Sequence, residues 1–176
     1  MSRIIAVFGS AVVAQDSPEA RLAYHVGVRL AERGATVMNG GYGGVMEAVS
    51  RGARERGGHV VGVTVDAFLD RKANGHLTVE HSVPDLLERL RVLTEEPDGF
   101  LALPGGIGTA AEVFLAWNLL SLRLRSPAPL VLMGNGLETI LRQETNPMGI
   151  PPEQFQWIRF AHDPDEAVDM VLGGAS

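Results

Sequence analysis

The residues of this sequence that could do chemistry gather around glycines. Three glycine-bearing turns each follow an apolar run of strand length: Gly9-Ser10, then Asn39-Gly40-Gly41-Tyr42-Gly43-Gly44, then Pro104-Gly105-Gly106-Ile107-Gly108-Thr109. A turn that leads from a strand into a helix presents unpaired backbone N–H groups and a partial positive charge, for which a phosphate is the natural guest. Glycine suits such a turn because a side chain would hold the backbone donors away from the phosphate oxygens, and because the turn often needs positive φ. Tight turning alone would account for any one of the loops; three in one small sheet point to a nucleotide or sugar phosphate. The candidate contacts are Gly9, Ser10, Gly41, Gly43, Gly44, Gly105, Gly106, Gly108 and Thr109. Neither common fingerprint is present: there is no GxxxxGK[ST], and the first strand runs into Gly-Ser-Ala instead of GxGxxG.

Two charged residues stand near these turns in different ways. Glu112 follows Thr109 by three positions, and the spacing has two readings. It is either a capping box, in which the carboxylate reaches back to the Thr109 N–H, or a carboxylate placed beside the phosphate site. Arg89 belongs to a helix predicted from Pro84 to Glu96 and projects towards Val92 and Leu93, whereas Arg91 projects towards Leu87 and Glu95. Arg89 is therefore the arginine expected to be partly enclosed, where a guanidinium needs a carboxylate or phosphate partner. A structural salt bridge at the helix edge would also satisfy it.

The elements that must position these residues follow from hydrophobic patterning. Arg3 to Phe8, Ala35 to Met38, His59 to Val65, Gly99 to Leu103, Pro129 to Met133 and Trp157 to Phe160 are short apolar runs rich in β-branched residues. They do not alternate, as a parallel sheet covered on both faces requires, and helical patterns lie between them. The order predicts a doubly wound α/β sandwich. Ser17-Pro18 and Asp163-Pro164 mark helix starts, and Gly34 ends a helix over about Pro18 to Arg33. Asp66 to Gly75, with Asp70, Arg71, Lys72 and Asn74, reads as a surface loop. No repeat or linker divides residues 1–176, so one nucleotide-binding domain is expected.

Composition removes several function classes. The chain carries a formal net charge of −6, which argues against tracking a nucleic-acid polymer, since that requires a basic face. It has no cysteine, so thiolate nucleophiles, disulfides and cysteine metal sites fall away together. No apolar run approaches the roughly 18 residues of a membrane span, and a soluble cytoplasmic protein without membrane partners is expected. The histidines His25, His59, His76, His81 and His162 are scattered, and no metal or cofactor is indicated. Of 15 basic residues only Lys72 is a lysine, which bears on pyridoxal phosphate chemistry because that cofactor is held as a Schiff base on lysine.

Asn39-Gly-Gly-Tyr-Gly-Gly-Val-Met-Glu47, then Arg89, then Phe100-Leu-Ala-Leu-Pro-Gly-Gly-Ile-Gly-Thr-Ala-Ala-Glu112 resembles the LONELY GUY family of nucleoside 5′-monophosphate phosphoribohydrolases, in order and in spacing. The similarity spans about Ile4 to Leu132. It implies a three-layer Rossmann-like sandwich with a mainly parallel sheet and helices on both faces, a homodimer, and hydrolysis of the N-glycosidic bond of AMP or cytokinin nucleotides to free base and ribose 5-phosphate. It also implies that Arg89 and Glu112 are the catalytic pair. Many family members carry a lysine decarboxylase label, which a chain with one lysine in a polar loop does not support. Leu90 stands where the family usually has a basic residue, and Glu47 replaces a common glycine. The glycine loops would serve equally well in a non-catalytic nucleotide or sugar-phosphate binding protein.

Overall fold

A computed structural model describes residues 2–141 and 148–173. Its centre is a seven-stranded sheet in the order β4-β3-β2-β1-β5-β6-β7. The strands are β1 (Ile4–Phe8), β2 (Thr36–Asn39), β3 (Val60–Val65), β4 (Val79–Val83), β5 (Gly99–Ala102), β6 (Leu130–Met133) and β7 (Ile158–Ala161). All neighbouring pairs are parallel. The chain moves outward from β1 to one edge, returns to β5 beside β1, and moves outward to the other edge. The strand order therefore reverses between β1 and β5, the place where an open α/β sheet leaves a crevice at its carboxyl ends.

Helices cover both faces. On one lie α1 (Pro18–Glu32), α2 (Val45–Glu55) and α6 (Pro164–Val171), packed on Ile5, Val7, Val37 and Leu101. On the other lie α3 (Leu86–Glu95), α4 (Ile107–Ser121) and a 3-10 turn (Pro152–Trp157), packed on Ala6, Phe8, Phe100 and Leu130; α5 (Asn135–Leu141) adds Leu141 to this core. Successive strand residues thus enter opposite cores, which is why the runs are apolar throughout. The expected caps are in place: Ser17 Oγ accepts from Ala20 N at 3.1 Å and Asp163 Oδ1 from Glu166 N at 2.9 Å. The α3 helix starts at Leu86 instead of Pro84, because Asp85 Oδ1 caps the Glu88 N–H at 2.9 Å.

One strand was not legible in the sequence. In β4, Val79, Glu80, His81 and Ser82 are exposed and only Val83 is buried. An edge strand needs hydrogen bonds from one neighbour and little burial, so it leaves no apolar run to detect. Residues 66–78 join β3 to β4 without a helix, and they contain the loop expected from Asp66 to Gly75. No helix among the described residues is long and apolar enough to cross a membrane.

Candidate functional site

The crevice at the carboxyl ends of β1 and β5 is a cleft of about 370 Å³. Its walls come from all three glycine turns, from α3 and α4, and from the loop after β3. Backbone hydrogen bonds tie the turns together: Ser10 N donates to Pro104 O at 3.2 Å, and Val45 N donates to Ser10 O at 2.8 Å. The first turn is thereby clamped between the other two.

At the third turn, α4 begins at Ile107 with Gly106 as its N-cap, and no side chain caps it. Backbone N–H groups in the first turn of a helix have no intrahelical partner, and Gly106, Ile107, Gly108 and Thr109 line the cleft. This early start removes the capping-box reading of Glu112. Thr109 is already the third helical residue, and Glu112 lies in the second turn, where its carboxylate faces Arg89 instead of the Thr109 N–H.

Arg89 and Glu112 are 8% and 7% exposed. Arg89 Nη1 donates to Glu112 Oε1 at 3.3 Å, and Arg89 Nε donates to the Val63 carbonyl at 2.9 Å. The guanidinium also stands 5.8 Å from the centre of the Tyr42 ring, and Arg89 Nη2 lies 4.0 Å from Met46 Sδ. Burial raises the Glu112 carboxyl to about 7 against the opposing pull of Arg89. At neutral pH the group is thus poised between its two protonation states, a feature of sites that move protons. Arg91, by contrast, is exposed and forms helix-surface ion pairs with Glu88 and Glu95.

The glycines divide by role. Gly9, Gly106 and Gly108 line the cleft with Ser10, whose hydroxyl accepts from Val12 N at 3.2 Å. Gly41, Gly43 and Gly44 are not among the cleft-lining residues. Gly41 and Gly44 have φ of +77° and +67°; Gly41 packs on Thr64 and Gly62, and Gly44 packs on the backbone of Ser10 and Ala11. They let the second turn press against its neighbours, and it is Tyr42 and Met46 from that segment that face the cleft. Gly105 lines a smaller neighbouring cavity of about 110 Å³ between β5 and β6. Gly40 contributes through space: a β-carbon there would collide with the Arg89 guanidinium.

Sequence reasoning missed Tyr42, Met46, Phe68, Arg71 and Leu86 as cleft residues. Phe68 and Arg71 sit in a polar stretch whose composition marks only a loop. Asn74 was the available signal for its anchoring. Asn74 N donates to Gly41 O at 2.8 Å, and Asn74 Nδ2 donates to Tyr42 O at 3.0 Å, which pins this loop to the second glycine turn. Lys72 is exposed. Among the described residues no group of His, Asp and Glu side chains converges to hold a metal ion.

The fold and the switch-point cleft define a Rossmann-like α/β protein. The chain belongs to the SLOG cluster4 family, whose model matches residues 2–124, and to the LONELY GUY proteins that its motifs resemble. It is 41% identical over 99 residues to a cytokinin riboside 5′-monophosphate phosphoribohydrolase of Mycobacterium tuberculosis, a match covering 55% of this chain and 53% of that protein. It is 34% identical over 136 residues to the protein of the same name from Rhodococcoides fascians, covering 74% and 67%. The chain spans about half the length of the mycobacterial relative. Among solved structures, the structural-genomics target TM1055 aligns at 28% identity with a TM-score of 0.74, over 97% of this chain and 99% of that one. A molybdenum cofactor binding protein from Rippkaea orientalis aligns at 23% identity with a TM-score of 0.77, over 98% and 97%, and so shares the fold.

Proposed function

We propose that this protein is a phosphoribohydrolase that cleaves the N-glycosidic bond of AMP or cytokinin-type nucleoside 5′-monophosphates, releasing free base and ribose 5-phosphate. The observation that carries the reading is the buried Arg89–Glu112 pair, placed on the cleft one turn beyond the uncapped start of α4. The names of the relatives at 41% and 34% identity support the same reaction.

The residues fit the chemical demands of that step. The 5′-phosphate would take the free N–H groups of the first turn of α4 and the Thr109 hydroxyl, with Ser10 opposite. Phosphate binding far from the reacting bond would position the ribose, so nucleosides lacking it should be poor substrates. As the C1′–N bond breaks, positive charge develops on the ribose, and an ionised Glu112 stabilises it while orienting the attacking water. The water oxygen becomes the C1′ hydroxyl, and its proton passes through Glu112 to the departing base. Arg89 holds the carboxylate in place and opposes the effect of burial on its ionisation. Lysine decarboxylation through pyridoxal phosphate is not part of this reading, because the chain's lone lysine, Lys72, is an exposed loop residue.

The test is chromatographic detection of base and ribose 5-phosphate after incubation with AMP, adenosine and isopentenyladenosine monophosphate, with wild type beside Glu112→Gln. Cleavage of the monophosphates alone, lost in the variant, is the expected result. Binding of AMP without release of base would overturn it in favour of a non-catalytic nucleotide-binding protein.

A further inference from the structure

The cleft holds a second guanidinium, and its surroundings differ from those of Arg89. Arg71 lines the cleft from the loop after β3. Arg71 N donates to Phe68 O at 3.0 Å, a tight turn that lays the side chain back over the ring three residues earlier. Its guanidinium carbon is 4.9 Å from the Phe68 ring centre and 5.7 Å from that of Tyr42. Among the described residues it forms no ion pair with a carboxylate, whereas Arg89 is committed to Glu112 and to Val63 O. Tyr42 is fixed in turn, since its hydroxyl accepts from Val65 N at 2.8 Å.

These contacts link the cleft residues in a series of neighbours, Glu112 on α4 with Arg89, Arg89 with Tyr42, and Tyr42 with Phe68 and Arg71. A nucleoside 5′-monophosphate with its phosphate on α4 and its C1′ at Glu112 would direct its base to the far end of that series. A planar cation resting on aromatic rings is a surface on which a flat heteroaromatic ring stacks. We propose that Arg71, supported by Phe68 and Tyr42, forms the base-binding wall of the cleft and sets the preference for the base. The inference rests on the phosphoribohydrolase reading of the site. It assigns to an exposed loop residue the recognition that the glycine motifs do not provide.

The experiment is calorimetric titration of wild type, Arg71→Ala and Arg71→Met with two ligands. One is ribose 5-phosphate, which has no base; the other is the carbocyclic analogue of AMP, which keeps the base but has no ring oxygen to support cleavage. Arg71→Met keeps the stem over Phe68 and removes only the planar cation. Both variants should weaken the AMP analogue about tenfold and leave ribose 5-phosphate within about twofold of wild type. Equal weakening of both ligands would overturn the proposal by making Arg71 a phosphate contact, and no change in either would overturn it outright. Wild type that binds neither ligand would instead remove the functional reading itself. Because Arg71 is exposed, unchanged melting temperatures should accompany these results.

Discussion

In the proposed reaction, Glu112 concentrates the chemistry of the site in one titration. Its carboxyl is raised to about 7 by burial, from an ordinary value near 4.5 in the unfolded chain. Between those values the folded state binds the proton and the unfolded state does not, so this group lowers stability as pH rises from about 4.5 to 7. The stability difference between Glu112→Gln and wild type should shift in favour of the variant across that window, as followed by denaturant melts at several pH values. Activity should run the other way. If the ionised form carries the reaction, kcat/KM for AMP should rise with pH and level off above about 7. Glu112→Gln should be lower by about 10²- to 10³-fold and lack that limb. Gly40 offers a second test at this scale, because a new β-carbon would meet the end of the Arg89 side chain first and then the Met46 sulfur. Arg89 cannot shift to admit it without leaving the buried Glu112 carboxylate and the Val63 carbonyl. Gly40→Ala should therefore lower kcat about tenfold or more and also lower the melting temperature, because it disturbs a buried ion pair; an unchanged kcat would show that the exact placement of Arg89 does not matter.

Among the elements, the helix pair α1 and α2 illustrates how close packing supports the site from behind. A β-carbon on Gly27 would strike the Val49 carbonyl, and one on Gly52 would strike the Tyr24 carbonyl. Backbone cannot give way as a side chain can, so Gly52→Ala must separate the two helices. It should cost about 1–3 kcal/mol in denaturant unfolding. Since α2 follows directly from the second glycine turn, the variant should also raise KM for AMP. The α4 helix shows the opposite arrangement, an N-terminus left without a side-chain cap where ligand would enter. Its apolar residues Val113, Ala116, Trp117 and Leu120 are buried in the core of this chain, so they do not form a partner surface.

For the whole molecule, the apolar residues left exposed are the clue to assembly. Leu86 and Leu87 at the start of α3, Ile107 at the start of α4, and Leu122 and Leu124 beyond its end are 47%, 77%, 91%, 59% and 69% exposed. Exposed large apolar side chains are the raw material of interaction surfaces, and the family resemblance implies a homodimer. Light scattering at micromolar concentration should give twice the chain mass, and Leu87→Glu should shift it towards the monomer; a monomeric wild type would exclude the assembly. Leu86 and Ile107 also line the cleft, so dissociation should lower activity as well.

Much of this protein was written in local sequence. Non-alternating apolar runs are forced by a sheet covered on both faces, which made the strands and the layered architecture readable. The three glycine turns at strand ends and the side of α3 that carries Arg89 were readable for similar reasons, because periods of 2.0 and 3.6 residues are properties of the backbone alone. What required tertiary structure was distance across the chain. Only the return of the chain from β4 to β5 brings Arg89 against Glu112, 23 residues away, and only their common burial raises the carboxyl. The same holds for Phe68 and Arg71, whose polar loop has no periodic signal and becomes a cleft wall through the anchoring of Asn74 to the second glycine turn. The exposed strand β4 stayed hidden because its pairing with β3 is made by backbone groups that every residue carries. Residue types decided which chemistry was available, and the folded chain decided which groups are close enough, and dry enough, to perform it.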